Sequence, residues 1–145
     1  GTGTGQVTLW QVANRQMQAT IIEHEKAVVF AEFSPDGKLL VTGGLDDTIK
    51  LWNRRTLELR ATLPWTAPGY AFSATFTPDS RTLAIGGGSR AGRKVVGEVK
   101  LWDVATAQCR ATLAGQSGPI AFSPDGAALV TVQPSGQVRR WQSEK

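Results

Sequence analysis

The stretch Ala31–Trp52, AEFSPDGKLLVTGGLDDTIKLW, decides the fold, because its parts recur along the 145-residue chain. The letters FSPDG at Phe33–Gly37 return unchanged at Phe122–Gly126, and a diverged copy, FTPDS, lies at Phe76–Ser80. Proline presets φ at the first central position of a turn, aspartate bonds to nearby backbone, and glycine accepts positive φ. The motif therefore predicts a hairpin turn between two strands rather than a phosphate-binding loop.

A second segment, which carries a tryptophan, repeats in step with this turn. VTLWQVANRQMQATI (7–21), IKLWNRRTLELRATL (49–63) and VKLWDVATAQCRATL (99–113) align, and VRRWQSEK begins a fourth copy at Val138. The four signature tryptophans are 42, 50 and 39 residues apart by residue number: Trp10, Trp52, Trp102 and Trp141. A period of about 40 to 45 residues is typical of a four-stranded propeller blade.

The end of each copy alternates between apolar and other residues. In LELRATL the apolar positions are Leu59, Ala61 and Leu63, and this period of two predicts a β-strand. Cys109 occupies the position of Leu59 in a later copy, so we expect a small buried hydrophobic side chain rather than a nucleophile. A single cysteine excludes an internal disulfide and a multi-cysteine zinc site.

Composition narrows the class of protein. Hydrophobic residues make up 41% of the chain, which indicates a packed globular structure, and no apolar run is long enough to span a bilayer. The net charge of +4 is mild for a dedicated nucleic-acid-binding protein. We find no secretory signal at the N-terminus, and with one cysteine this predicts a cytoplasmic location.

The combined pattern of Ala31–Trp52, repeated twice more in weaker form, resembles the WD40 repeat family across essentially the whole chain. The resemblance implies an all-β fold of propeller blades, each with four antiparallel strands around a channel. With strands named a to d outward from the channel, we expect partial c–d strands at 6–21. Complete blades follow at 28–63 and 70–113, and an incomplete blade at 119–142.

The resemblance also implies a buried hydrogen-bond network in the first complete blade. At the family's spacing, His24, Thr42 and Asp46 precede Trp52 by 28, 10 and 6 residues. The aspartate would hold the histidine tautomer, while the hydroxyl and the indole N–H complete the buried polar partners. His24 is the only histidine, and we interpret it as a structural member of this network rather than a catalytic residue.

The later blades depart from this pattern. In the next blade Gly86 stands where Thr42 stood, and the aspartate position is lost in an insertion. The last blade keeps Thr131, with Ser135 at the aspartate position and Gln116 near the histidine position. We therefore expect both blades to depend more on apolar packing and to be less rigid.

Three blades and a remnant fall short of the four to eight blades that known propellers need to close. The chain is then either a fragment, from the C-terminal part of a longer propeller, or one of several copies that share strands to close a ring. In a shared ring the leading c strand around Trp10 would be surplus.

The residues suggest no catalytic constellation, so we predict a non-catalytic protein-interaction or scaffold module with no cofactor, metal or membrane contact. In the family, the d–a and b–c loops form a face that often binds peptides or proteins. Here that face would hold PWTAPGY (64–70) and the insertion SRAGRKVVGE (89–98). The candidate partner-binding residues are Trp65, Tyr70, Arg90, Arg93 and Lys94. The basic ones favour an acidic or phosphorylated partner.

Several alternatives stay open. Trp65 could fold back onto its blade as a plug, and the basic insertion could be a solvated loop. A polyanion or nucleic-acid surface could form from basic residues: Arg90, Arg93, Lys94, Arg139 and Arg140. Such a surface would bind with a steep dependence on salt, because counterions are released from phosphates. A purely structural ring segment that self-assembles is the third possibility.

Overall fold

The structure, a computed structural model, describes residues 5–67, 69–91, 94–116, 118–133 and 135–142. Over these residues the chain forms thirteen β-strands. In chain order they are β1 Gln6–Gln11, β2 Gln16–Ile22, β3 Val28–Phe33, β4 Leu39–Gly44, β5 Thr48–Asn53, β6 Leu59–Pro64, β7 Tyr70–Phe76, β8 Thr82–Ala91, β9 Lys94–Asp103, β10 Gln108–Ala114, β11 Ile120–Phe122, β12 Ala128–Val132 and β13 Val138–Gln142.

The strands form four antiparallel sheets. The first is the pair β1–β2, the second is β3-β4-β5-β6, the third is β7-β8-β9-β10 and the fourth is β11-β12-β13. Within each sheet, strands that are consecutive in the sequence pair with one another, so each sheet is a meander of the kind that makes a propeller blade. The prediction of an all-β fold with four-stranded antiparallel blades is confirmed, and the four sheets do not close a ring within the described residues.

The repeated turn motif lies where the sequence predicts it, between the first and second strands of a sheet. The Gly37 N–H donates to the Ser34 carbonyl at 2.9 Å, and the Gly126 N–H donates to the Ser123 carbonyl at 2.8 Å. Both glycines have φ near +70°, which a residue with a Cβ rarely adopts. The prediction of a hairpin turn is confirmed. In the diverged copy Ser80 takes the same conformation, with φ of 60°.

The core lies between successive sheets. The largest cluster joins the two four-stranded sheets and contains Leu39, Val41, Ile49, Leu51, Leu63, Trp65, Ala71, Phe76, Leu83, Ile85, Trp102 and Val104. A second cluster, around Ala84 and Leu129, joins the third sheet to the fourth. A third, around Leu40 and Trp52, joins the first sheet to the second. Because burying one such side chain contributes about 1.5–3 kcal/mol, face-to-face packing of the sheets dominates stability.

Cys109 is exposed, which corrects the prediction of a buried cysteine. It lies on β10, the outermost strand of its sheet, and a strand at the outer rim has a neighbour on one side only. The corresponding Met17 and Leu59 are 60% and 45% exposed on their own outer strands. The alternation predicted the strand correctly, but it did not reveal that this position lies at the rim.

The insertion in the third sheet is part of two strands. β8 and β9 have ten residues each, against six in β4 and β5, and their pairing continues through Ser89↔Val96 to Ala91↔Lys94. The interpretation of the insertion as a loop is wrong for these positions. Adjacent valines, Val95 and Val96, favour extended backbone, so the hairpin lengthens and the ladder is not interrupted.

Candidate functional site

The first complete sheet holds a buried polar network, in which the structure brings His24, Thr42, Asp46 and Trp52 together. The Trp52 indole N–H donates to Thr42 Oγ1 at 2.9 Å, and Thr42 Oγ1 lies 2.7 Å from His24 Nε2. His24 Nδ1 lies 3.0 Å from an Asp46 carboxylate oxygen. One proton arrangement satisfies every atom: the threonine hydroxyl donates to Nε2, and the Nδ1–H donates to the carboxylate.

Asp46 supplies the carboxylate of this network and accepts several hydrogen bonds. Burial would raise its pKa, but hydrogen bonds from Thr48, from His24 and from the Glu25 N–H outweigh that effect and hold the pKa of Asp46 below its ordinary value. Through these bonds Asp46, in the β4–β5 turn, holds the segment that follows β2. A Cβ on Gly44 would lie 2.5 Å from His24 Nδ1, so the site admits only glycine there. Both ring nitrogens of His24 therefore have hydrogen-bond partners within the network.

The fourth sheet has its own version of the network. Thr131 Oγ1 donates to the Gln116 side-chain oxygen at 2.7 Å, and the Trp141 indole N–H donates to Thr131 Oγ1 at 3.1 Å. Gln116 and Thr131 are both fully buried, while Ser135 is exposed. The amide oxygen of Gln116 accepts the bond that Nε2 accepts in the other network. The blade is expected from the sequence to depend more on apolar packing than the first complete blade; it keeps a buried polar network, but that network lacks the carboxylate member.

The third sheet replaces the polar pair with apolar side chains. Ile85 pairs with Lys100 across the β8–β9 ladder, just as Thr42 pairs with Lys50 across the β4–β5 ladder. The counterpart of Thr42 is therefore Ile85, which corrects the assignment of Gly86 to that position. Ile85 has no acceptor, and the indole N–H of Trp102 is buried with no hydrogen-bond partner among the described residues. This blade depends on apolar packing, as the sequence predicts.

Trp65 is 5% exposed and belongs to the main core cluster, so the prediction of a partner-binding tryptophan is wrong and the alternative, a plug, describes it. Its ring fills the space beside Gly87, where a Cβ would lie 2.6 Å from Trp65 Cζ2. The Lys100 ammonium lies 5.7 Å from the ring centroid, within cation–π range. Glycine in β8 makes the room that the tryptophan occupies.

The other candidate residues lie at or near the long hairpin. Tyr70 is 44% exposed at the start of β7, and its partner in the ladder is Gly88 of β8. Arg90 and Lys94 lie in β8 and β9, although their side chains are outside the described part of the structure. Arg93 lies outside the described residues altogether. The signature tryptophans differ in burial, from 2% exposed for Trp52 to 60% exposed for Trp10.

In the described ranges no group of three or more His, Cys, Asp or Glu side chains could hold a metal ion. Within those same ranges no helix has the length and apolar character needed to cross a membrane.

The repeats of this chain are similar to repeats in known proteins. The family model described as WD domain, G-beta repeat matches residues 15–53. The mouse WD repeat-containing protein 3 is 31% identical over 133 residues, which cover 90% of this chain and 13% of that protein. The Arabidopsis thaliana WD repeat-containing protein WDS homolog is 29% identical over 141 residues, which cover 90% of this chain and 25% of that protein.

A third relative is eukaryotic translation initiation factor 3 subunit I of Aspergillus oryzae, which is 38% identical over 80 residues. The match covers 54% of this chain and 23% of that protein. This chain thus spans between about one eighth and one quarter of the length of these relatives. The matched repeat, the four antiparallel sheets and the His24–Trp52 network agree with one another. The chain belongs to the WD40-repeat family.

Proposed function

We propose that this chain is a non-catalytic protein-interaction module, a scaffold segment that presents the β8–β9 hairpin and Tyr70 to a partner protein. The observation that carries the proposal is the length of the hairpin, which exceeds β4–β5 by four residues per strand. The WD40-repeat relatives support an interaction or scaffold role in general terms. An exposed tyrosine at the base of a projecting hairpin is of the residue type enriched at interface hot spots.

The partner is proposed to be acidic or phosphorylated at the contact. The hairpin sequence SRAGRK carries Arg90, Arg93 and Lys94 and has no carboxylate. Guanidinium and ammonium groups bind carboxylates and phosphates through charge-assisted hydrogen bonds. At the base of the hairpin the Lys100 ammonium pairs with Glu98 at 3.2 Å, so the one carboxylate of the insertion sequence already has a basic partner.

The test is a variant in which residues 89–96 are replaced by Asn-Gly, a sequence suited to a two-residue hairpin turn. The buried Ile85 and Val99 stay in place, so the sheet retains its core. We expect the unmodified chain to capture a set of proteins in a quantitative affinity-capture experiment. The variant with the shortened hairpin should no longer capture this set, and Tyr70→Ala should capture less of it. Arg60→Ala, at an exposed arginine on β6 of the neighbouring sheet, is the matched surface control. Identical capture by all four proteins would contradict the proposal.

A polyanion-binding surface is the runner-up, and one observation weighs against it. Arg139 and Arg140 are both exposed, but they are neighbours on β13 and therefore point to opposite faces of the sheet. They do not add to one continuous basic patch. Capture that disappears after nuclease treatment and falls steeply with salt would favour this alternative.

Self-assembly into a ring is supported by a different feature. β13 has a strand partner on one side only among the described residues, and Val138 on that strand is 65% exposed. An open edge of this kind can pair with another chain. Light scattering over a wide concentration range tests this: a discrete, concentration-independent dimer or trimer supports the ring, and a monomer contradicts it.

A further inference from the structure

A cleft of about 480 Å³ lies between the second and third sheets. Its lining comes from the turns that precede β4 and β8, from the turn that follows β9 and from the outer strands β6 and β10. Every residue of the lining therefore belongs to one of the two four-stranded sheets or to their turns. Arg81 stands directly before β8, whose other end forms the long hairpin, so about 30 Å of strand separates the cleft from the hairpin tip.

Two arginines enter this cleft from equivalent positions of the outer strands. The ladder between β5 and β6 skips Arg60, and the ladder between β9 and β10 skips Arg110. Each arginine is thus the extra residue of a β-bulge, a feature that re-aims a side chain. The corresponding bulge of β2 has Gln18, so the bulge itself does not need a charged residue. Backbone geometry therefore does not account for the two guanidinium groups.

The carboxylates of the cleft are already bonded within their own turns. Asp36 accepts hydrogen bonds from the Ser34 hydroxyl at 2.6 Å and from the Lys38 N–H at 3.1 Å. Asp79 accepts the equivalent two bonds in the third sheet, and Asp103 accepts two from the turn after β9. These bonds hold the pKa of all three carboxyl groups below their ordinary values, so all three are ionised near neutral pH.

The lining has one cation more than it has carboxylates. Against those three carboxylates stand four cationic side chains: Lys38, Arg60, Arg81 and Arg110. The Lys38 ammonium lies 3.8 Å from Asp36, and the Arg110 guanidinium forms an ion pair with Asp103. Two of the four positive charges are therefore compensated by direct pairing.

The other two arginines carry the remaining charge. Among the described residues neither Arg60 nor Arg81 forms an ion pair. The pKa of Asp79 is lowered first by the bond from the Thr77 hydroxyl and more weakly by the charge of Arg81, so Arg81 has a carboxylate in its vicinity. Arg60, exposed on its bulge, is then the free cation in the described part of the cleft.

We propose that this cleft binds one carboxylate side chain of a partner protein, with Arg60 and Arg81 as its cationic contacts. The planar guanidinium fork matches a carboxylate through two parallel hydrogen bonds. One carboxylate also balances the single excess charge, whereas a phosphate dianion would place a second negative charge beside three ionised carboxylates. The proposal rests on the general interaction role proposed above, but not on the β8–β9 hairpin.

The probe is the peptide acetyl-Gly-Ser-Glu-Ser-Gly-amide, in which blocked ends leave the glutamate as the only charge. It is titrated into the isotope-labelled full chain and followed by NMR shifts of the backbone amides. We expect saturable shifts at residues of the lining, namely Arg60, Arg81 and Val104. Two matched peptides have glutamine or phosphoserine in place of the glutamate. Glutamine should weaken binding about tenfold, and phosphoserine should bind no more tightly than glutamate.

The matched protein variants change one charge each. Arg60→Gln removes the charge and places in β6 the residue type that the bulge of β2 already has, so the fold should be kept. We expect it to weaken binding of the glutamate peptide about tenfold. Arg139→Gln, at an exposed arginine on β13 of another sheet, should leave binding unchanged.

The hairpin and the cleft serve as controls for each other. The chain with residues 89–96 replaced should bind the glutamate peptide as the unmodified chain does, and Arg60→Ala should still capture the proteins that depend on the hairpin. Loss of the peptide result with intact hairpin-dependent capture would remove this proposal alone.

Three results would overturn the proposal. The first is the absence of saturable shifts at the lining residues. The second is equal binding of the glutamine peptide, which would mean that the cleft does not recognise the charge. The third is tighter binding of the phosphoserine peptide at the same residues, which would assign the cleft to a phosphate group instead of a carboxylate.

Discussion

The backbone N–H of Asp36 donates a hydrogen bond to Ser80 Oγ at 3.1 Å, which joins the first turns of the two four-stranded sheets. Ser80 stands where the other two turns carry Gly37 and Gly126, and it holds φ of 60°. A residue with a side chain whose backbone is in this left-handed region is less stable by about 1 kcal/mol than glycine in the same conformation. The hydrogen bond between the sheets offsets that cost. The diverged turn therefore has a less favourable backbone conformation than the two glycine turns, but it gains a contact between blades.

Substitutions at Ser80 separate the two effects. Ser80→Ala keeps the strained backbone and loses the bond, so we expect the free energy of unfolding to fall by about 1 kcal/mol. Ser80→Gly loses the bond and relieves the strain, so its effect should stay within about 0.5 kcal/mol of zero. Urea unfolding followed by tryptophan fluorescence measures both. Equal destabilisation by alanine and glycine would show that the backbone of this turn carries no strain.

The Gln116–Thr131–Trp141 network predicts a large effect from a nearly isosteric change. Thr131→Val removes the hydroxyl that accepts from the Trp141 indole and donates to Gln116, and it leaves the buried Gln116 amide and the half-buried Trp141 indole without their partner. Each such group costs about 1–3 kcal/mol, so we expect the variant to be less stable by about 2–4 kcal/mol. Chemical denaturation checks this.

A conservative change at the same site is the control. Gln116→His places a ring nitrogen where the amide oxygen accepts, as His24 does for Thr42, and it should cost less than about 1.5 kcal/mol. If Thr131→Val and Gln116→His are equally mild, the buried network contributes little to the fourth sheet.

The sequence predicted the strands and turns of this molecule better than the surroundings of single residues. FSPDG and the period of two are local signals, since their physics depends on a few neighbouring residues. The burial of Trp65 depends on Gly87, 22 residues later, which leaves room for its ring. The exposure of Cys109 depends on which strand forms the outer rim, a property of the sheet that alternation along one strand does not encode.

The network residues divide in the same way. The role of His24 is predictable from its spacing to Trp52, which matches the WD40 family, whereas the bond between Thr131 and Gln116 depends on the packing of two segments and is visible only in the structure. The insertion changes the spacing between Trp102 and the position that corresponds to Thr42, so Gly86 was the wrong prediction for that position. Counting forward from the turn motif gives nine residues from Phe33 to Thr42 and nine from Phe76 to Ile85, the correct position.

The third sheet allows a direct test of why the indole N–H of its signature tryptophan, Trp102, has no hydrogen-bond partner in the described part of the chain. Ile85→Thr places a hydroxyl where Thr42 carries one, within reach of the Trp102 indole N–H by analogy with the 2.9 Å bond from Trp52. The change loses apolar burial worth about 1–2 kcal/mol and gains a bond worth about 1 kcal/mol. We expect a net loss of no more than about 1 kcal/mol in the free energy of unfolding.

Ile85→Val is the matched comparison, because it removes one methylene and supplies no acceptor. A buried hydroxyl without a partner would make threonine clearly worse than valine. If Ile85→Thr is as stable as Ile85→Val or more stable, the Trp102 indole N–H has a hydrogen-bond partner in the threonine variant. If Ile85→Thr is less stable than Ile85→Val by more than about 2 kcal/mol, the inferred geometry is contradicted.

The last prediction concerns acid stability. The folded state holds the pKa of Asp46 below its ordinary value, because bonds from Thr48, His24 and the Glu25 N–H outweigh the effect of burial. Because the pKa of Asp46 is lower in the folded state, this carboxylate stabilises the fold at pH values above its pKa in the unfolded chain, near 3.8. The stabilisation is lost as the pH falls from that value toward the lower pKa of the folded state. We therefore expect the urea concentration at the unfolding midpoint to decrease as the pH falls below about 4, and to decrease less steeply in Asp46→Asn. Asp47→Asn, at the exposed neighbouring position, makes the same charge change outside the network and should keep the steep decline. An unchanged pH profile in Asp46→Asn would contradict the role of this carboxylate in the His24 network.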